Sequence, residues 1–591
     1  MAMNKKHFLL TLLILLMSTV TLAQRHTDRL DRGLVVIPTG STGGSNTNLV
    51  TWRRLTNEYY DVTYNVYKDG SKVASNLKKT CYDSSGTPSS SYQVAAVVNG
   101  VEQAKCTAVT AWNQYVYKIG DTRTPTGFID IPLATVYDRN GNDVTSHYEP
   151  NDAEMADLDG DGQLEIIIKR LNTVDAAGMY LESSQEFVVL DAYDVNWQTG
   201  AATLMWRIDC GPNMASLNST EINIIAYDWD EDGKAEVVLR GADNMIVYGK
   251  DGKTKLYTIG DGNVNTRNLM DSHNNDQYAW TRFGREYLIY LNGETGAQYQ
   301  ITDFPLPRLE TTEWPNSSVP YNDYTSLESA GYGELLTKNS SKSYSLNKVW
   351  GDHYGHRSSK YFLGAPFLDG QKASLFLARG IYTRHKMIAM NLNRDTHQWT
   401  TRWTWNNNTS SSPWYGQGNH NFVIADVDED GRDEIVYGSM VIDDNGKGLS
   451  TTGLGHGDAL HVGDFDPYRK GLETFACNED KPAMNYRNAT TCELYVRRTA
   501  KDDDGRALMD NFSNAYPGSQ GRSVSTGIIS SITDGNIDAY GGDNFIAWGD
   551  LNFRIYWDGD LCSEILNSPG TAKEAKVDKP GSGRLFTSDG C

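Results

Sequence analysis

Short apolar runs, broken by turns rich in Asp, Gly and Asn, recur along this chain, and stretches with a sustained helical period are few. Near the N-terminus the runs at 49–53, 62–67 and 92–98 predict strands. Asp69-Gly70 and Asn99-Gly100 predict tight hairpins, because both central residues of such a turn need positive φ. Further on, the runs are set against a recurring acidic loop. The runs at 222–227, 422–425 and 460–462 precede a copy of it, and those at 166–168, 237–239 and 435–437 follow one. Each unit therefore predicts strand, loop, strand.

The loops themselves carry the strongest chemical signal. Asp157, Asp159, Asp161 and Glu165 recur at the same spacing as Asp228, Asp230, Asp232 and Glu236, and again as Asp426, Asp428, Asp430 and Glu434. A looser copy places Asp464 and Asp466 ahead of Glu473. Carboxylates at positions 1, 3 and 5 of a tight loop converge on one point, and like charges that close need a hard cation among them. An all-oxygen donor set of this density predicts several Ca²⁺ ions. The final Glu stands at position 9 rather than 12 and leads into a strand, so these are not EF-hands. Ordinary Asp/Gly hairpin turns are the bland alternative, weakened by three close copies in one chain.

The turn-rich pattern, with 55 Gly, 34 Tyr and 14 Trp, suits an all-β protein. Residues 24–118 carry no acidic loop and predict a small β-sandwich of fibronectin-III type. Residues 119–591 carry the repeated units and predict a calcium-stabilised β-propeller, with a calcium-stapled β-solenoid as the alternative. Residues 1–23 look like a secretory signal, with Lys5, Lys6 and His7 ahead of an apolar stretch at 8–17 that is too short to span a bilayer. No other stretch approaches that length, so a soluble, exported protein is expected, secreted or periplasmic, with no membrane span. A net charge of −21 argues against nucleic acid as a partner. Seven cysteines are too few for a disulfide scaffold, although Cys81–Cys106 and Cys477–Cys492 are conceivable pairs.

Candidate chemistry gathers in 350–522. Seven of the eleven histidines lie between residues 353 and 461, and His353, His356, His420, His456 and His461 among them stand in unusual short phrases. His420 and His456 each have glycines nearby and precede an acidic loop, a setting that admits close approach of backbone or ligand. The phrases WGDHYGHR (350–357), ARGIYTR (378–384), GNHNFVIADVDEDGRDEIVYGSM (418–440) and STTGLGHGDALHVGDFDP (450–467), with VLDAY (189–193) and MWRIDCG (205–211), resemble those of the rhamnogalacturonan lyases of polysaccharide lyase family 11.

That resemblance implies a β-propeller, eight-bladed in the family, carrying many calcium ions behind an N-terminal β-sandwich. It implies β-elimination on the rhamnose–galacturonate backbone of rhamnogalacturonan I, an acidic plant cell-wall polysaccharide, by a monomeric enzyme. It points to His420, His456 and Arg522 as active-site residues. Asn172, Asp191, Arg357, Arg379, Tyr382 and Arg384 would be substrate contacts. The chain departs from the family at 213–219 and 240–244, where subsites are expected. The family also continues beyond the counterpart of Leu561 with a lysine- and tyrosine-bearing segment, so the expectation is of a C-terminally incomplete chain with weak activity. A glycoside hydrolase using paired carboxylates and a non-catalytic glycan- or protein-binding propeller are the competing readings.

Overall fold

A computed structural model describes residues 32–42, 45–54, 62–111, 131–172, 185–197, 199–214, 222–266, 271–272, 279–280, 284–313, 318, 329–330, 349–350, 356–466, 469–499, 504–510, 520–525, 544–547 and 555–557. The expected signal segment, His353 and Cys591 lie outside these residues. The chain is all-β, and the helix His356–Ser359 is a single turn. No helix among the described residues is long and apolar enough to cross a membrane.

The N-terminal region is sandwich-like. One sheet pairs Val35–Thr42 with Ser45–Thr51, and Ser45–Thr51 with Cys81–Ser85. The other runs Ser71–Leu77, Thr63–Lys68, Ser91–Val98, Val101–Lys105. Val36 and Val50 from the first sheet meet Tyr64, Val66, Tyr92 and Val94 from the second in one apolar core. The predicted hairpins form, with Asp69 at φ 49°, Gly70 at 79°, Asn99 at 51° and Gly100 at 77°. Cys106, Cys477 and Cys492 are free thiols, so neither conceivable cysteine pair forms. Cys477 and Cys492 instead help fill the apolar interior as small hydrophobes.

From Tyr148 onward the strands form successive antiparallel meanders. A six-stranded sheet comes first, from Tyr148–Ala156 through Lys255–Ile259. Four-stranded sheets follow, beginning with Ile224–Tyr227, Tyr361–Gly364, Val423–Ala425, Ala459–Gly463 and Asp504–Asp510. Each acidic loop is the hairpin between the first and second strands of its sheet. The last residue of the first strand pairs with the final glutamate in all four: Ala156 with Glu165, Tyr227 with Glu236, Ala425 with Glu434 and Gly463 with Glu473. The repeated spacing in sequence is thus a repeated register in space.

Second strands such as Glu236–Ala242, Leu375–Arg379 and Glu434–Tyr437 are buried along their whole length. The reason is that both faces of each sheet are covered, and strands covered on both faces read as continuous apolar runs. Val237 and Leu239 pack toward the first sheet, while Val238 packs with Leu375, Leu377 and Ile388 of the next. Phe376 and Met387 pack with Ile435 and Ile442, and Val436 packs with Leu460 and Ala476. The sheets therefore stack face to face in chain order, and the first strands of several neighbouring sheets touch.

Candidate active site and cation-binding loops

The acidic loops share one hydrogen-bond pattern. The final glutamate receives a backbone N–H from inside the loop: Leu158 N to Glu165 at 2.6 Å, Trp229 N to Glu236 at 3.0 Å, Val427 N to Glu434 at 2.8 Å and Phe465 N to Glu473 at 2.9 Å. The first aspartate caps the turn, accepting from Gly162, Gly233 or Gly431 at 2.8–3.0 Å. Position 4 is left-handed in each close copy, taken by Gly160, Glu231 and Glu429 at φ 83°, 61° and 65°.

One ligand oxygen each from Asp157, Asp159 and Glu165 lies within 4.8 Å of the others. The same holds for Asp228, Asp230, Asp232 and Glu236, and for Asp426, Asp428 and Glu434. Asp161 and Asp430 are not gathered within that distance; like Asp232, they accept from the backbone two residues on, at Gln163 N and Arg432 N. Asp464, Asp466 and Glu473 are not gathered so closely among the described residues. Burial, with the neighbouring aspartates reinforcing it, pushes Glu165 up to about 8, Glu236 to about 9 and Glu434 to about 8, and raises Glu473. Glu434 Oε1 and Glu473 Oε1 are buried without a hydrogen-bond partner. Crowded carboxylates with a spare buried oxygen fit a hard divalent cation.

The two histidines singled out in the sequence come together. A parallel bridge joins Asn419 to Gly457 and brings the His420 and His456 rings to 5.0 Å. Glycine is required in this contact: a Cβ on Gly418 would lie 2.2 Å from the Ile381 carbonyl, and one on Gly457 would lie 2.2 Å from the Cys477 carbonyl. His456 is 1% exposed. Its Nδ1 is 2.8 Å from the Ile381 carbonyl, which only a protonated Nδ1 can satisfy. In the neutral ring the lone pair is therefore on Nε2. That atom is buried without a hydrogen-bond partner, 3.7 Å from Asp458 Oδ1 and 3.5 Å from Glu479 Oε2.

His420 is more open, with 31% of its side chain exposed. Its Nε2 lies 3.4 Å from Asp458 Oδ1 and 3.2 Å from the Tyr382 hydroxyl, and its Nδ1 lies 3.4 Å from Lys360 Nζ. His420, His456 and Asp458 can offer ligand atoms within 4.8 Å of one another. An orphaned imidazole nitrogen facing two carboxylates is a donor set for a divalent cation.

The other sequence-picked residues divide. Tyr382 belongs to this cluster, with its ring 4.3 Å from that of His456 and the Arg357 guanidinium 4.9 Å above it. Arg379 and Arg384 are buried instead of lining an open surface. Arg384 pairs with Glu313 at 2.9 Å and covers the Trp350 ring. Arg379 joins Arg240 and Arg308 around Glu286, at 2.7, 2.5 and 3.0 Å. Burial alone would raise the Glu286 carboxyl, but Arg308, Arg379 and Arg240 outweigh it and hold the group at about 2.

Asp191 has no exposed surface. Arg207 grips both its oxygens, and Arg170 and the Tyr193 hydroxyl fill the remaining positions, so the side chain is spent inside its sheet rather than offered to a sugar. Asn172, at the end of the neighbouring strand, is also buried and donates to Glu186. Arg522 sits in the strand Gln520–Ser525 opposite Leu508, and its side chain lies outside the described residues.

Sequence reasoning missed Asp458, Glu479 and Lys360. Asp458 was findable, because His456 and Asp458 are two apart and so share a face of extended chain. Lys360 and Glu479 had no local signal, since each reaches the cluster from a different sheet or connection.

Comparison with known proteins adds the following. A model of "Rhamnogalacturonan lyase family 11, C-terminal domain" matches residues 128–324 and 319–591. A model of "Rhamnogalacturonan I lyases beta-sheet domain" matches 25–112. The chain is 34% identical over 567 residues to the rhamnogalacturonan endolyase YesW of Bacillus subtilis, covering 92% of this chain and 76% of that protein. It is 33% identical over 581 residues to the rhamnogalacturonan exolyase YesX of the same organism, covering 94% and 80%. The crystal structure of exotype rhamnogalacturonan lyase YesX superposes with a TM-score of 0.63 at 30% identity, over 91% of this chain and 83% of that one.

Proposed function

Since the chain belongs to rhamnogalacturonan lyase family 11, we propose that it cleaves the rhamnose–galacturonate backbone of rhamnogalacturonan I by β-elimination, leaving an unsaturated galacturonate end, with the His420–His456 cluster as its active centre. The observation that carries the assignment is the orphaned, buried Nε2 of His456, facing Asp458 and Glu479 beside an accessible His420.

β-Elimination at a uronate removes the C5 proton, and the adjacent carboxylate must be neutralised so that charge can move onto it. His456, Asp458 and Glu479, with His420 beside them, would hold a calcium ion. When bound, such an ion supplies Lewis-acid neutralisation of that carboxylate. The chain's own residues do the rest. The Ile381 carbonyl fixes the His456 ring so that Nε2 faces inward. Arg357, over Tyr382, brings a fixed positive charge to the same wall. With the Lys360 ammonium donating to Nδ1, the neutral His420 ring carries its proton on Nε2, 3.2 Å from the Tyr382 oxygen, so this edge protonates the departing C4 oxygen while the C5 proton goes to water. Arg522, on the sixth sheet, is a further candidate for the substrate carboxylate.

The stacked meanders support a β-propeller in which the sheets are blades, and the acidic loops support several structural calcium ions between strand ends. The expected signal segment supports export, to where both calcium and the polysaccharide are found.

The test is the appearance of unsaturated-uronate absorbance on rhamnogalacturonan with calcium, abolished by chelator. His456→Ala should lower the rate by about 10²–10³-fold, the scale for losing one preorganised electrostatic group. New reducing ends without that absorbance would mean a hydrolase, and binding without cleavage would mean a lectin-like propeller.

A further inference from the structure

Among the described residues, buried cations are paired almost without exception. Lys169 has Asp152 at 3.2 Å, Lys386 has Glu310 at 2.5 Å, Arg170 and Arg207 share Asp191, and Arg240, Arg308 and Arg379 share Glu286. Arg487, which lacks a carboxylate, donates to the Asn485 and Gly438 oxygens. Lys360 breaks the pattern. It is 8% exposed, no carboxylate lies within ion-pair distance among the described residues, and its one hydrogen bond there is to His420 Nδ1. Asp458 reaches it only as a more distant charge. Taking an ammonium out of water without a counter-charge is costly, so burial pushes Lys360 down to about 8, and an anion bound beside Nζ would restore the balance.

The position of Lys360 says which anion. It follows the single-turn helix His356–Ser359 that carries Arg357, and it stands immediately behind the half-open His420 ring. Asp458 lies at the other nitrogen of the His420 ring, on the side where a cation would be held, so Lys360 places a further positive charge across that ring from it. We propose that Lys360 is the protein's own ligand for the galacturonate carboxylate of the substrate, binding it at Nζ beside His420 and so fixing which sugar residue is presented to the His420–Tyr382 edge.

This assignment rests on the lyase reading above and adds a residue to it. The carboxylate is the element of the repeating unit that distinguishes the uronate from the rhamnose, so Lys360 would act in both specificity and charge neutralisation. No covalent step is involved, and the ammonium keeps its proton.

The test compares wild type, Lys360→Met and Lys360→Arg as full-length, calcium-loaded proteins. Elimination is followed on rhamnogalacturonan oligosaccharides, and binding is measured on those oligosaccharides and on their carboxyl-reduced counterparts. Lys360→Met removes a buried unpaired charge and keeps the bulk, so its thermal midpoint should hold or rise. Its kcat/KM should fall about 100-fold, and Lys360→Arg should recover part of the loss. The deciding readout is binding: Lys360→Met should lose affinity for the native oligosaccharide by at least about tenfold and leave affinity for the carboxyl-reduced one unchanged. Equal losses on both ligands would show that Lys360 merely shapes the pocket, and no loss on either would show that the carboxylate binds elsewhere; both overturn the proposal. An inactive wild type that still binds oligosaccharide would instead count against the lyase reading, and the ligand comparison would still decide the role of Lys360.

Discussion

Two kinds of charged cluster organise this protein, and they are opposites. In the acidic loops, carboxylates outnumber cations and converge, so burial and mutual repulsion push Glu165, Glu236 and Glu434 far above their ordinary range. Around Glu286 three guanidiniums share one carboxylate, and the same burial is overridden, leaving that acid at about 2. Both clusters link strands, and in each loop the final glutamate is buried although aspartates such as Asp232 and Asp428 reach solvent. The difference lies in what completes them. The Glu286 hub is complete in the polypeptide, whereas the loops are complete only with an ion from outside. Self-contained clusters join neighbouring sheets permanently: Glu286 and Arg240 belong to one sheet, Arg379 to the next, and Arg308 to the connection between them. Ion-dependent clusters close the hairpin within one sheet.

The largest expected effect breaks the hub. Glu286→Gln leaves three buried guanidiniums without an anion, and removing one partner of a buried pair costs about 3–5 kcal/mol. The urea midpoint of the calcium-loaded protein should fall accordingly. A shift under about 1 kcal/mol would mean that water or the Ser358 carbonyl, which already accepts from Arg379, carries the load.

Next in size is the loss of a single ion. Asp228→Ala removes a ligand from the cluster that gathers all four of its acids. With free calcium at 100 times the dissociation constant, losing that ion costs about 2.7 kcal/mol. The ion count should drop by one, and the variant should match wild type once both are chelated. If chelation leaves the two still apart, the aspartate matters through its cap on the turn, where it accepts from Asp232 N and Gly233 N.

pH separates the clusters by sign. The chelated protein holds its loop glutamates protonated at neutral pH, since their folded values near 8 to 9 exceed an unfolded value of about 4.3. The folded state then binds more protons than the unfolded one, so this contribution is full below about pH 4.3 and lost as pH rises through 8 to 9. Glu286 runs the other way: its contribution is full above about pH 4.3 and lost only as pH falls through about 2. Unfolding of the chelated protein, followed from pH 5 to 9, should show declining stability, and saturating calcium should remove the decline. A flat profile without calcium would mean that the loop carboxylates stay ionised.

The loops were legible in sequence because their chemistry is local. Four acids and a glycine within nine residues fix turn, register and ion site together. The His420–His456 pairing was legible for a related reason, since Gly418, two residues before His420, and Gly457, next to His456, must both stay bare where the chain segments meet. The hub was not legible. Arg379 and Arg384 sit in a phrase that looks functional, yet they point into the contact between sheets. Nothing in the phrase reveals that Glu286, more than ninety residues upstream, waits for Arg379. Asp191 misled for the same reason: its partners Arg170 and Arg207 stand on the strands either side of it. Long-range charge pairing leaves no spacing to read, and it decided which of the sequence-picked residues could face a sugar.

The smallest effect tests whether the two classes are as separate as this comparison makes them. In the Asp228–Glu236 loop a neighbouring sheet does supply a cation, since Arg394 pairs with Glu231, and an imidazole, since His397, stacked on Tyr299 at 4.1 Å, lies 3.0 Å from Asp230. Arg394→Gln removes one such charge and leaves all four ion ligands in place. The pair is half-buried and open to solvent, and surface pairs are worth about 0.2–1 kcal/mol, so the direct cost to stability should be small. Calcium affinity should rise instead, by about two- to threefold at low salt, because the arginine no longer competes for the loop's negative field. The gain should fade by about 1 M salt, where the screening length shrinks to about 3 Å. A fall in affinity would show that Arg394 holds Glu231 in its left-handed turn so that Asp230 and Asp232 can meet. The loop would then be preorganised by its neighbour, and the line between self-contained and ion-dependent clusters would run through this loop rather than around it.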